Sequence, residues 1–292
     1  MTALDWDQTG ERLYETGVDH GVLYPISGDG DYPLGVAWNG LITVTETPAG
    51  AGATATYADN IKYLNLIAAE TFGATIDAYT YPDEFAVCDG TVQPEPGVSV
   101  GQQPRKTFGL CYRTLVGNDV EGTELGFKLH LVWGAIAEPS QKAYGTVNDS
   151  PAAINFSWTI NTTPVNVTDL KPTSLIVIDS TQVDSDALST LLDILYGTEG
   201  VDPRLPLPDE VLAIFSGTVT EVRLVGTNAP TYDSGTHVVT IPSVANVSWK
   251  INGLSVSTGA QPAMTSGQTS VVRAYADPGY VITGDDDWTF DY

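Results

Sequence analysis

LGFKLHLVW at residues 125–133 and INFSWTIN at residues 154–161 decide the fold class of this chain. In the first run Leu125, Phe127, Leu129, Leu131 and Trp133 alternate with Gly126, Lys128, His130 and Val132. In the second, Ile154, Phe156, Trp158 and Ile160 alternate with Asn155, Ser157, Thr159 and Asn161. A period of two belongs to an extended strand, whose successive side chains point to opposite faces. Both runs are expected as strands that bury an aromatic-rich face and present a small, polar one. Asn155, Ser157 and Thr159, with Lys128 and His130 on the same side, are the candidates for a wet, lumen-like surface.

Working outward, the opening third carries short strand-like runs (GVDHGVLY at 17–24, VAWNGLITVT at 36–45) broken by turn clusters such as GDGDYP at 28–33. PAGAGATA at 48–55 has no bulky side chain and reads as an exposed loop. DNIKYLNLIAAET at 59–71 spaces Ile61, Leu64, Ile67 and Ala68 at helical intervals behind an Asp59 or Asn60 cap, which predicts a helix. Strands are expected at 75–81 and 84–89. Residues 137–150 form a long polar connection. A second helix is predicted at 185–196, capped by Asp184 and stopped by Gly197, and DPRLPLPDE at 202–210 predicts an extended, proline-stiffened connection. After it the chain turns rich in Thr, Val, Ser and Gly, with strand runs at 219–225, 237–241, 247–251 and 271–276. Two domains follow, 1–217 and a small all-β module at 218–292.

Composition restricts the function. The 292 residues hold 36 acidic and 12 basic side chains, a formal net charge of −24. Binding to nucleic-acid phosphates needs a positive footprint, so that class is disfavoured, while a surface past which DNA slides without sticking suits such acidity. Cys88 and Cys111 have no second Cys or His at ligand spacing and are expected as buried thiols. No apolar run approaches the length of a membrane span, and the first residues lack the basic and apolar regions of a signal peptide, so synthesis in the cytoplasm is expected. No nucleophile elbow, zinc-protease motif or phosphate-binding loop occurs, and His20, His130 and His237 read as turn or strand residues rather than as a base or ligands. No catalytic residue, cofactor or metal is assigned. Asp29 and Asp31, and the three aspartates at 285–287, are weak cation candidates that read better as solvated turns. Trp249 and Trp288 sit at strand positions that favour a core over a sugar-stacking role.

A series of local features adds a resemblance: LDWDQTGERLYETG at 4–17, VLYP at 22–25, YPLGVAWNGL at 32–41, ATIDAYTYPDEF at 74–85, GLCYR at 109–113, GND at 117–119, ILYGT at 194–198 and LPLPDE at 205–210. In this order the chain resembles the major tail (tail tube) proteins of siphophages. The resemblance implies a mainly β fold: a tail-tube domain of sandwich or barrel-forming sheets with one or two helices, then a small C-terminal immunoglobulin-like β-sandwich, matched by Gly279, Tyr280 and WTF at 288–290. It implies a virion structural protein, not an enzyme, assembled in the host cytoplasm. Its copies would form stacked hexameric rings around a DNA channel, with tape measure and tail terminator proteins as further partners and no membrane. Trp6, Tyr14, Thr54, Tyr57, Gln141 and Tyr144 are the expected contacts between subunits. The alternative is a capsid decoration or carbohydrate-binding surface module.

Overall fold

The computed structural model describes residues 5–50, 52–147, 149, 152–216, 220–276 and 280–292. Parts of the opening segment, of the 48–55 and 137–150 stretches, of the 219–225 run and of the Gly279–Tyr280 match lie outside them. The chain is mainly β, with two α-helices among the described residues. It divides into two compact units, Met1–Ile26 with Leu34–Val183, and Ser27–Pro33 with Asp184–Tyr292. The boundary expected at 217/218 falls inside the second unit.

The first unit holds β1 (Tyr14–Pro25), β2 (Val36–Trp38), β3 (Leu41–Glu46), β4 (Ala49–Gly50), β5 (Ala53–Ala58), β6 (Ile61–Ile67), β7 (Glu70–Thr71) and β8 (Gly73–Ala78). It continues with β9 (Val92–Glu95), β10 (Val98–Val100), β11 (Phe108–Asn118), β12 (Gly122–Ala137), β13 (Phe156–Thr162) and β14 (Leu175–Asp179). The main sheet runs β2-β1-β11-β12-β13-β8-β3, and β14 pairs with β12 beside β13. Lys128–Val132 of β12 face β14, whereas Ala135–Ala137 face β13. The change comes at Gly134, whose φ is +65° and where an added Cβ would lie 2.1 Å from the Thr163 carbonyl oxygen. A side chain there would break the sheet, since only glycine takes this backbone at so close an approach.

One face of the sheet buries Trp38, Phe85, Phe108, Trp158 and Ile160 with Leu23, Ile76, Leu110 and Tyr112. The rings meet mostly edge to face, Phe85 lying 5.2 Å from Trp158 and Tyr81 5.3 Å, a geometry that adds to area burial. Leu129, Leu131 and Trp133 are buried on the other face, so β12 is covered on both sides from Leu129 to Trp133. Cys88 and Cys111 are buried and form no disulfide, and burial pushes the Cys88 thiol up to about 12.

Two predicted elements differ. Residues 59–71 are not a helix: β5 and β6 form an antiparallel hairpin across Asp59 and Asn60, whose φ values of 51° and 62° are those of a two-residue primed turn. Every residue of β6 is exposed. No surface is buried against the apolar stripe, so nothing offsets the preference of Ile61, Tyr63 and Ile67 for strand. Five of the eight residues of the expected 48–55 loop fall in β4, which pairs with β7, and in β5. Residues 84–89 are not a strand but a 3₁₀ turn, Asp83–Val87, that points Phe85 into the core.

In the second unit α1 (Ser185–Tyr196) matches its prediction, with the Asp184 carboxylate accepting from the Asp186 and Ala187 amides. The proline-rich stretch runs straight into α2 (Pro208–Phe215), where Pro208 serves the first turn and Asp209 and Glu210 complement the helix dipole. The strands are β15 (Thr220–Arg223), β16 (Thr231–Asp233), β17 (Val238–Ile241), β18 (Val247–Ile251), β19 (Leu254–Val256), β20 (Gly259–Ala260), β21 (Thr269–Ala276), β22 (Tyr280–Thr283) and β23 (Asp287–Asp291). His237 precedes β17 in a turn at φ 56°, and His20 lies within β1 at φ 49°, each reversing the element expected for it. Two antiparallel sheets, β16-β17-β20 and β19-β18-β21-β23, and the parallel pair β15-β22 enclose Trp249, Val272, Val239 and Ile241, with Trp288 half-buried against them. Replacing the central ring, Trp158→Ala, is expected to cost about 3–5 kcal/mol; denaturant unfolding followed by fluorescence of the remaining tryptophans measures it.

Candidate functional surfaces

The first half of β1, then β11, the first part of β12, and β14 make a four-strand layer. Its pairings put Glu15 beside Val116, Thr114 beside Lys128 and Asp179, and Tyr112 beside His130 and Val177. This face continues the one that buries Trp158, but here it turns polar. The Lys128 ammonium donates to Glu15 Oε1, and this hydrogen bond raises the Lys128 pKa against the opposing effect of burial. Tyr112 Oη donates to Glu46 Oε1 at 2.6 Å. His130 stacks on Tyr112 with centroids 4.5 Å apart, and its Nε2 lies 3.1 Å from Thr114 Oγ1. Its Nδ1 is 3.0 Å from Glu46 Oε1 but off the hydrogen-bond direction, so that contact is electrostatic. Burial lowers the His130 pKa, and Glu46 offsets only part of the effect. The imidazole is therefore held neutral, and the face carries three carboxylates (Glu15, Glu46, Asp179) against one ammonium.

Of the residues predicted to share one wet face, the structure keeps two groups apart. Asn155 and Thr159 are exposed and Ser157 half-buried, the latter two on the side of β13 opposite Trp158. Lys128 and His130 lie on the Trp158 side, Lys128 half-buried and His130 buried at 8% exposure. The irregularity at Gly134 inverts the phase between the two runs, and a glycine between Trp133 and Ala135 was the signal for it. Glu15, Glu46 and Asp179 come from distant segments and had no sequence signal.

The layer has two open edges. β14 pairs with β12 on one side, and among the described residues no strand pairs with its other side; β2 covers only Gly21–Leu23 of β1, which leaves Tyr14–Thr16 open. The Trp133 amide donates to Ser174 O and the Ser180 amide to Phe127 O. By alternation the Ile176 and Ile178 amides face β12, and those of Leu175, Val177 and Asp179 face outward. Val177 is also 44% exposed.

Beyond the layer, the β5–β6 hairpin exposes Tyr57, Ile61, Tyr63, Leu64, Leu66 and Ile67. Of the expected subunit contacts, Thr54 and Tyr57 sit on it, Tyr14 packs its ring over Gly117 at the open edge of β1, and Trp6, Gln141 and Tyr144 are exposed. The 137–150 connection is anchored near its start, where Lys142 Nζ lies 2.5 Å from buried Asp89. Four of the five carboxylates considered for a cation pair instead with bases: Asp29 and Asp31 with Lys250, Asp286 with Arg204, Asp287 with Arg273.

No family model and no curated protein matches the sequence. Among solved structures the chain is distantly similar to one in a cryo-EM structure of an extracellular contractile injection system, the PVC sheath–tube complex in its extended state. The identity is 11% and the TM-score 0.25, over 55% of this chain and 88% of that one.

The neutral His130 sets a pH dependence. Its folded-state pKa lies below the ordinary value of 6.5, so within that window the unfolded chain takes a proton that the folded chain refuses. Stability present above pH 6.5 is lost as pH falls through the window. Thermal unfolding is expected to shift down between about pH 7.5 and about pH 5.5, and His130→Phe to remove that component.

Proposed function

We propose that this chain is the structural, non-catalytic subunit of a phage-type tail tube, polymerising as stacked hexameric rings around an acidic, polar channel for genomic DNA. The observation that carries the reading is the pair of open edges on opposite sides of the β1-β11-β12-β14 layer. An exposed edge invites pairing with another chain, and two unlike edges on one subunit generate a head-to-tail series that closes into a ring. The outward amides of Val177 and Asp179 would bond the open start of β1 in the next copy, the Leu175 amide being held by Thr173 Oγ1. Closure sets the layers side by side, and their Glu15–Lys128–Asp179 face becomes the channel wall. Three carboxylates with one paired ammonium repel phosphate and leave no cation free to hold it. The apolar β5–β6 hairpin, Trp6 and Tyr144 are contacts between subunits or rings, since exposed apolar surface of this extent marks an association site. Tape measure and terminator proteins are the expected further partners, in a virion tail assembled in the host cytoplasm, and residues 218–292 the immunoglobulin-like module.

Val177→Pro tests this directly. Proline there removes an outward amide and no bond to β12, so the monomer keeps its fold while the ring loses an edge bond. Negative-stain microscopy of the wild-type chain at high concentration should show hollow tubes or stacked rings, and the variant monomers with unchanged circular dichroism. Tubes of undiminished length in the variant would overturn the edge-pairing reading; a compact wild-type trimer would favour a decoration protein.

A further inference from the structure

Residues 27–33 leave the end of β1 and return to β2, yet they pack within the second unit. Two cations account for this. Lys250, on β18, lies 3.8 Å from Asp29 Oδ1 and 3.6 Å from Asp31 Oδ2, with its ammonium 4.5 Å from the centre of the Tyr275 ring. Arg204, between the helices, grips Glu210 with both prongs, at 2.9 and 2.6 Å, and lies 3.8 Å from Asp286 in the turn before β23. Lys250 thus joins the last strands to residues 27–33, and Arg204 joins the same strands to the helices. The backbone adds a third link, the Leu205 amide donating to Tyr32 O at 3.1 Å, and closes the segment on itself through the Ser27 amide to Asp31 O at 2.8 Å. The β18–β19 turn also passes close, for a Cβ added at Gly253 would lie 3.1 Å from Asp29 Oδ2.

These groups are largely removed from water. The Arg204 and Lys250 side chains are each 23% exposed, and their four carboxylate partners between 21% and 30%. Burial pushes the Asp31 and Asp286 carboxyls up, and the neighbouring bases only partly counter it. With four acids on two bases, losing either base leaves carboxylates that are half-desolvated and uncompensated, which costs more than the pair itself contributes.

We propose that residues 27–33 are a strap, clamped by the C-terminal strands through Lys250 and held to the connection between the helices by the Leu205 amide on Tyr32 O, while Arg204 ties the same strands to α2. Residues 220–292 are then an integral half of the second unit, not an appendage on a flexible linker. This role is independent of tube formation. It also predicts that losing these strands frees the connection between β1 and β2, a structural consequence that the composition change near residue 217 gives no hint of.

Hydrogen exchange by mass spectrometry on the full-length chain tests it. In Lys250→Met, amides of peptides covering residues 27–33 should exchange roughly tenfold faster, while those of β11 and β12 keep their wild-type rates. Asp29→Asn combined with Asp31→Asn removes the same pairs at constant volume and should give the same local acceleration, which keeps the test decisive if Lys250→Met fails to fold. Arg204→Met should extend the acceleration to residues 286–291. Wild-type protection of residues 27–33 in the aspartate variant, or exchange of that segment at free-peptide rates in the unaltered chain, would overturn the proposal.

Discussion

The antiparallel ladder between β11 and β12 is the constraint on which the first unit depends. It runs from Phe108↔Ala135 to Asn118↔Gly122 and is continuous except at its two irregularities. A 16-residue β12 is long enough to offer successive stretches of one edge to two different partners, β14 before Gly134 and β13 after it. At the β13 end its inner face meets the aromatic core around Trp158. At the β14 end the same face meets Glu15, Glu46, Thr114 and Asp179 beside Tyr112 and Val177, so one strand carries both the fold's apolar anchor and its polar surface.

That division explains how a strongly acidic chain keeps a lysine and a histidine on a surface proposed to face DNA. Lys128 is neutralised by Glu15, and His130 stays uncharged because it is buried against Tyr112. The cationic groups serve packing and pairing, and the residual charge of the face is negative. The same economy recurs in the second unit, where Arg204 and Lys250 are spent on internal carboxylates.

The period-two runs were enough to read a mainly β chain, and Asp184, Gly197 and the leucines between them were enough to read α1, because both signals are local and agree with the tertiary environment. Residues 59–71 misled because helical spacing of Ile61, Leu64 and Ile67 coincided with a strand that packs against nothing, and the Asp59-Asn60 pair that caps a helix also makes a hairpin turn. α2 was hidden by Pro208, which stiffens an extended chain and equally well begins a helix. The polar face was half legible: Lys128 and His130 stood out on β12, but assigning them to the side of Ser157 and Thr159 required a phase that one glycine inverts. Glu15, Glu46 and Asp179 join them only through long-range pairing, which no local pattern carries.

A tube built this way requires the free edge of β14 in one copy to pair with the open start of β1 in the next. Disulfide trapping measures it most directly: Val177→Cys combined in turn with Tyr14→Cys, Glu15→Cys and Thr16→Cys, oxidised after assembly and resolved on denaturing gels. At least one combination is expected to yield a ladder of covalent oligomers ending at the ring, while each single cysteine yields no ladder. Assembled tubes in which none of the combinations cross-links would contradict it.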